Sequence, residues 1–126
     1  MNAQAPNSST NRTASSAVIS LERGKVPPQA VDLERVVLGA MLIDKKGVDE
    51  VIDILHKEAF YVEAHQHIFE AIFELFQDTK PIDILTVSNL LKQKNKLEKV
   101  GGDYYLIDLS RSVGSSAHIE LHARII

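Results

Sequence analysis

The sequence predicts an all-α domain, a compact bundle of about six short helices. Apolar residues recur at three- and four-residue intervals through most of the chain, which is the period of a buried helix face. Turn-forming residues interrupt this pattern often, so the connections between helices are expected to be short. No stretch alternates strictly between apolar and polar residues, as a half-buried strand does. Residues 81–87 come nearest, but Leu85 and Val87 disturb the alternation.

Length and composition limit the chain to one domain and exclude several classes of protein. Of its 126 residues, 44% are hydrophobic and 25% are charged, which is typical of a globular protein. The net charge of −3 does not provide the basic excess of a dedicated DNA-binding surface. The lack of cysteine excludes disulfides and thiolate metal sites, and it fits a cytoplasmic location. No apolar run approaches the roughly 20 residues of a membrane-spanning helix.

The first 25 residues are expected to form a disordered polar tail. The stretch from Met1 to Ser16 is rich in Asn, Ser, Thr and Ala, and these side chains offer too little apolar surface to offset the entropy lost on ordering. The tail also lacks the apolar segment of a secretory signal. Pro27 and Pro28 favour an extended entry into the domain, which is expected to span residues 26–126.

Three helices are predicted in the first half of the domain. The first runs from Val31 to Leu42, and Gly39 on its apolar stripe allows close packing. A shorter second helix follows the break at residues 44–47. The third, over residues 63–78, has so wide an apolar stripe that it should be largely buried. Apolar residues on one side of the second helix are Val48, Val51, Ile52 and Leu55, and the predicted core phenylalanines of the third are Phe69, Phe73 and Phe76.

The fourth and fifth helices are predicted from their caps and stop signals. Asp83 can cap the fourth helix, because its carboxylate can accept hydrogen bonds from the free N–H groups of the first turn. A charged run over residues 92–99 follows this helix, and Gly101 ends the segment. The fifth helix is predicted over residues 104–109, with Asp103 as its candidate cap.

A sixth helix is predicted after Ser116, its candidate cap. Its His118 and His122 share one face, as a zinc-binding pair must, so a metal-dependent hydrolase is one alternative. The zincin motif places Glu directly after the first His, however, whereas here Glu120 comes second. Neither Gly24 nor the glycine pair near residue 101 fits the phosphate-binding pattern G-x-x-x-x-G-K-[ST]. The chain is therefore expected not to hydrolyse ATP.

Several short motifs follow one another along the domain. They are Pro27-Pro28, Glu34-x-x-Val37-Leu38-Gly39, Phe60-Tyr61-x-x-x-His65-x-x-Ile68-Phe69, Pro81-Ile82-Asp83, Gly101-Gly102-x-x-Tyr105-Leu106 and Ala123-Arg124-Ile125. In this order and at these spacings they resemble the N-terminal domain of the bacterial replicative DNA helicase, the DnaB family. His65 matches the family pattern, and its expected role is packing or backbone hydrogen bonding early in its helix.

The resemblance implies an assembly and docking domain rather than an enzyme. The parent in this family is a hexameric helicase that unwinds DNA at the bacterial replication fork, close to the nucleoid. ATP and Mg²⁺ bind in its motor domain, which this sequence lacks, so no catalytic, cofactor or metal residue is expected here. The family's N-terminal domains pair through a helical hairpin whose first arm is the sixth helix. The chain is therefore expected to stop inside that hairpin and to be mainly monomeric.

The expected partners are the primase C-terminal domain, other helicase subunits and, as a further candidate, a helicase loader, without DNA or membrane binding. Positions that match the family's primase contacts are Tyr105 and Ile125. Ile119, Ile125 and Ile126 are apolar groups on a helix that lacks a packing mate, and they complete the predicted partner surface. Ile119 is expected to fold back onto the core, with Ile125 and Ile126 exposed. The alternative function is a stand-alone helical protein–protein interaction adaptor.

Overall fold

Six α-helices and one short 3₁₀ turn make up the part of the chain that the structure describes. The structure is a computed structural model, and it describes residues 28–112 and 119–126. The elements are α1 (Pro28–Ile43), α2 (Lys45–Val51), the 3₁₀ turn (Lys57–Ala59), α3 (Glu63–Gln77), α4 (Ile84–Gln93), α5 (Gly102–Arg111) and α6 (Ile119–Ile125). These residues contain no strand, which confirms the predicted all-α class. The predicted tail, Ser116 and His118 lie outside the described residues.

The first helix begins at Pro28, so the expected extended entry at this proline is wrong. Proline suits the first turn of a helix because its φ is fixed near the helical value and its missing N–H would have no partner there. Residues 28–31 belong to an N-terminal unit that ends at Val31, and residues 32–126 form a second compact unit. Within the second unit, α1 contributes the fully buried side chains of Val37, Leu38 and Met41 to the core.

A single residue separates α1 from α2. Asp44 has an extended backbone, and its carboxylate accepts a hydrogen bond from the backbone N–H of Lys46 at 3.0 Å. The predicted break is therefore shorter than expected, and Gly47 lies inside α2. A Cβ atom on Gly47 would approach Ile119 Cδ1 to 3.1 Å, so the glycine allows α2 and α6 to pack closely. The predicted apolar side of α2 and its C-terminal extension is confirmed, since Val48, Val51, Ile52 and Leu55 are all buried.

The third helix runs through the centre of the core, as predicted, but only one of its three phenylalanines is buried. Phe69 is 3% exposed and its ring lies 5.3 Å from that of Phe60, whereas Phe73 and Phe76 are 36% and 38% exposed. The prediction that Phe73 and Phe76 are core residues is therefore wrong. The apolar stripe of α3 is wider than the surface that α4 and the 3₁₀ turn pack against it, so its margin faces outward.

The turn between α3 and α4 contains a left-handed residue at the end of α3 and a capping residue at the beginning of α4. Lys80 donates its backbone N–H to the carbonyl of Leu75 at 2.9 Å, and Thr79 between them has a φ of 56°. This left-handed conformation is uncommon for a β-branched residue. Asp83 then caps α4 as predicted: its carboxylate accepts from the backbone N–H of Thr86 at 2.8 Å, and the Thr86 hydroxyl accepts from the Asp83 N–H at 2.9 Å.

The fifth helix is preceded by a glycine, its cap residue, that no other residue could easily replace. Gly101 has a φ of 107°, and a Cβ atom there would lie 2.9 Å from Tyr105 Cβ. Asp103 lies within the first turn of α5 rather than before it, and its carboxylate accepts a hydrogen bond from the Ser88 hydroxyl of α4. The prediction of Asp103 as a cap is therefore wrong, because the side chain joins two helices instead. No helix among the described residues is long and apolar enough to cross a membrane.

Two alanine substitutions on α3 test the difference between its centre and its margin. Phe69→Ala is expected to reduce the free energy of unfolding by about 3–5 kcal/mol, because it removes a buried ring. Phe73→Ala is expected to cost about 1 kcal/mol, because that ring is already partly in water. Urea denaturation followed by circular dichroism measures both. Equal losses for the two variants would contradict the burial difference.

Candidate functional site

A chain of polar side chains crosses the interior and links α1 to α3 and α5. Glu34 and His65 are buried, with 2% and 0% exposure. Glu34 Oε1 lies 2.7 Å from His65 Nδ1, and His65 Nε2 lies 2.6 Å from Tyr105 Oη. Arg35 donates from Nη1 to Tyr105 Oη at 3.4 Å, and from Nη2 to Asp108 Oδ2 at 2.8 Å. These five residues are called the buried network below.

The partners assign a consistent direction to each hydrogen bond in this network. A carboxylate can only accept, so His65 Nδ1–H donates to Glu34. The other ring nitrogen of a neutral imidazole is an acceptor, so it takes the hydroxyl hydrogen of Tyr105. The Tyr105 oxygen then accepts from the guanidinium of Arg35. For a neutral imidazole, these neighbours place the ring hydrogen on Nδ1.

Glu34 also binds the backbone of the two residues that precede α3. Its carboxylate accepts from the backbone N–H of Tyr61 at 2.7 Å and, more distantly, from that of Val62 at 3.4 Å. Val62 is the cap residue of α3, and its apolar side chain makes no capping hydrogen bond. A negative charge is favourable at a helix N-terminus, where free N–H groups and the helix dipole meet. Of the two roles expected for His65, packing is seen in its stacking on Tyr105, whereas its ring nitrogens contact the side chains of Glu34 and Tyr105 and not the backbone.

Tyr105 is the member of the network with the most varied contacts. Its ring stacks on that of His65 with 5.9 Å between centroids, and the Arg35 guanidinium lies 5.6 Å from the ring centre. Burial raises the pKa of Tyr105 above its usual value of 10.0, and the nearby positive charge of Arg35 opposes this shift. The hydrogen bond to Asp108 raises the pKa of Arg35. The neutral phenol and the charged guanidinium are therefore the forms that the fold favours.

The contacts of the buried network join α1, α3 and α5. A Glu–His–Tyr series could transfer protons, but Glu34 and His65 are closed to solvent and so to a substrate. The described residues also contain no group of three or more His, Asp or Glu side chains that could hold a metal ion. His118 is outside this part of the chain, so the metal alternative built on His118 and His122 stays untested.

The four predicted partner residues occupy different environments. Ile119 is 2% exposed and belongs to the core, which agrees with its expected return onto the domain. Ile125 is 58% exposed, also as expected, whereas Ile126 is partly buried and packs against the core. Tyr105 belongs to the buried network on α5. Their assignment to a partner surface stays a prediction, and of the four only Ile125 is largely exposed.

Sequence reasoning missed two features of these sites. Leu121 is 58% exposed and lies four residues before Ile125, so both project from one side of α6, here called the α6 outer face. That spacing could have identified it. Glu34 stands three and four residues before the buried Val37 and Leu38, and a charged residue on an apolar stripe is the signal of a buried polar contact.

Comparison with known proteins identifies the class to which this domain belongs. Residues 26–126 match the sequence model of the DnaB-like helicase N terminal domain. The chain belongs to this family, which confirms the resemblance seen in its motifs. In fold, it is similar to the crystal structure of the N-terminal domain of DnaB helicase from Mycobacterium tuberculosis. The TM-score is 0.74 at 35% identity, and the match covers 79% of this chain and 69% of that one.

The relatives are replicative helicases, of which the chain covers only a small part. The replicative DNA helicase DnaB of Rhodothermus marinus is 48% identical over 105 residues, which is 83% of this chain and 11% of that protein. The replicative DNA helicase DnaB of Geobacillus stearothermophilus is 37% identical over 102 residues, or 81% of this chain and 22% of that protein.

The substitution Glu34→Gln tests the buried network. The amide oxygen of glutamine can still accept a hydrogen bond from either His65 or the Tyr61 N–H. The NH₂ group would then face the other donor, which would be left without an acceptor. We expect a loss of about 2–3 kcal/mol in the free energy of unfolding, measured by urea denaturation. The matched control is Glu50→Gln, an exposed position on α2 that forms no ion pair with another described residue. A loss no larger than that of the control would show that the buried carboxylate is dispensable.

The raised pKa of Tyr105 predicts a loss of stability in alkali. Folding favours the protonated phenol, so this contribution is complete below the unfolded pKa of about 10 and is lost as the pH rises through the folded value. The melting temperature of the wild type should therefore fall more steeply above about pH 10 than that of Tyr105→Phe, which cannot ionise there. When tyrosine ionisation is followed by ultraviolet absorbance, the phase at the highest pH should be present in the wild type and absent from the variant. Parallel melting curves would contradict the raised pKa.

Proposed function

We propose that this domain is the N-terminal assembly and primase-docking domain of a hexameric replicative DNA helicase. Membership of the DnaB-like helicase N-terminal domain family is the observation that carries this role. ATP and Mg²⁺ bind in a motor domain outside these residues, and the domain itself takes no direct part in catalysis. Its partners are other helicase subunits and the primase C-terminal domain, with a helicase loader as a further candidate, at replication forks in the bacterial cytoplasm.

The α6 outer face is the surface proposed for these contacts. Ile119 and Ala123 fix the inner side of α6 on the core, and Leu121 and Ile125 leave apolar side chains on its outer side. A helix that is apolar on opposite sides gains stability when the second side is also covered. Another subunit or primase would provide that cover.

Direct DNA binding by this domain is not proposed. The net charge is −3, and Lys94 in the basic run over residues 92–99 pairs with Glu74 at 2.8 Å. This contact raises the pKa of Lys94 and occupies its ammonium group. Affinity for DNA grows with the number of phosphates that free cations neutralise, and too few are gathered here.

A chimeric helicase tests the assembly and docking role. Residues 26–126 would replace the matching segment of the Geobacillus helicase, and sedimentation with the primase C-terminal domain would report assembly and binding. We expect the chimera to form hexamers and bind primase, and Leu121→Asp with Ile125→Asp to weaken primase binding by about tenfold or more. The 126-residue chain alone should sediment as a monomer and bind primase weakly.

The control for this experiment is Leu85→Asp, which places the same charge on another exposed leucine, 67% exposed, on α4. This variant should assemble and bind primase like the unmodified chimera. Equal weakening by the control and by the α6 substitutions would exclude the α6 outer face as the docking surface. A chimera that assembles but never binds primase would reject the docking role itself.

A further inference from the structure

A groove of about 800 Å³ lies between α2 and the turn that follows α3. Its apolar lining includes Val48 of α2, Phe76 at the end of α3, and Pro81 and Ile82 in the turn. Phe76 is 38% exposed, so a large part of its ring faces this space rather than the core. The volume is within the range of about 300–1,000 Å³ that is typical of binding clefts. It is called the Phe76 groove below.

Unpaired lysines stand at the Phe76 groove. Lys45 and Lys80 line it, and Lys46 follows Lys45 on α2. None of these three forms an ion pair with another described residue, and Asp49 is the carboxylate among the residues that line the groove. The residues that line the groove thus carry a net charge of +1, whereas Asp44, Glu50 and Asp78 stand beside them in the sequence.

A second groove, beside Phe73, provides an internal comparison. It is also lined by lysines, but Lys57 pairs with Glu70 at 3.4 Å and Lys94 pairs with Glu74 at 2.8 Å. Two of its three lysines are thus paired with carboxylates of α3, and Lys96 is the exception. The Phe76 groove instead presents exposed apolar surface together with cations that have no carboxylate partner in the described chain.

We propose that the Phe76 groove docks an acidic, amphipathic segment of another protein. A large aliphatic or aromatic side chain of that segment would lie against Phe76, Pro81 and Ile82. Carboxylates on either side of this anchor would reach Lys45 and Lys80. Burial of the anchor provides affinity, and complementary charge provides orientation and selectivity. The groove is formed by other elements than the α6 outer face, so this inference is independent of the primase-docking role.

The lining of the groove favours a peptide over nucleic acid. Single-stranded nucleic acid is held by successive aromatic platforms and by several phosphate contacts. The Phe76 groove offers one aromatic ring, walls made of aliphatic side chains and proline, and few cations. Aliphatic walls with charged rims are instead the features that hold an amphipathic peptide.

Nuclear magnetic resonance titration of the isotope-labelled 126-residue chain tests the proposal. The probe is a synthetic peptide in which leucines at helical spacing are flanked by aspartate and glutamate. The comparison peptide has lysine in place of every acidic residue. We expect saturable shifts of the backbone amides of Lys45, Val48, Lys80 and Ile82 with the acidic peptide only. Raising the salt concentration should weaken this binding several-fold, because exposed charges are screened.

Variants separate the charge from the apolar contact. Lys45→Glu with Lys80→Glu should lower the affinity by about tenfold or more, and Phe76→Ala should lower it several-fold. Lys92→Glu and Leu85→Ala, which change exposed residues of α4 outside the groove, should leave it within about twofold. Circular dichroism checks that each variant is folded. If a variant fails to fold, the titration of the wild type still tests the proposal.

Four outcomes would overturn the proposal. These are unchanged groove amides at saturating peptide, equal shifts with the basic peptide, shifts produced by an oligothymidylate instead of the acidic peptide, and shifts that grow with protein concentration when no peptide is present. The third result would assign the groove to nucleic acid, and the fourth would assign it to a second copy of the chain.

Discussion

The carboxylate of Glu34 is the contact on which the arrangement of α1, α3 and α5 depends. It is buried on α1, where an unpaired charge would be strongly unfavourable, and it accepts hydrogen bonds from His65 and from the start of α3. His65 in turn needs the hydroxyl of Tyr105 on α5. The carboxylate is therefore satisfied by α3 and the residues just before it, and the second ring nitrogen of His65 finds its partner only when α5 is also in place. A slip of any one of them would leave a buried donor or acceptor without its partner.

Local rules predicted the helices, and the errors arose where several elements meet. The periodicity of α3 and the cap at Asp83 depend on residues a few positions apart, and both were predicted correctly. Asp103 was misassigned because its partner, Ser88, lies on the preceding helix. Phe73 was misassigned because periodicity shows which side of a helix is apolar, but not how much of that side its neighbours cover.

The buried network could be predicted only in fragments. Glu34, His65 and Tyr105 were all singled out as matching motifs, yet their contacts span 31 and 40 residues of sequence. No spacing rule relates positions so far apart. The α6 outer face was easier to predict from the sequence, because Ile125 and the missed Leu121 are only four residues apart on one helix.

The sequence separation within the buried network has a consequence for how the domain is made. Arg35 and its partner Asp108 are 73 residues apart. At a synthesis rate of about 5–20 residues per second, the ribosome needs about 4–15 s to add that length of chain. Glu34 exists throughout this interval and His65 for its later part, but α5 is not yet complete. The early helices can form, yet their polar groups must stay hydrated until the fifth helix leaves the ribosome. Final closure of the domain therefore waits for the synthesis of α5.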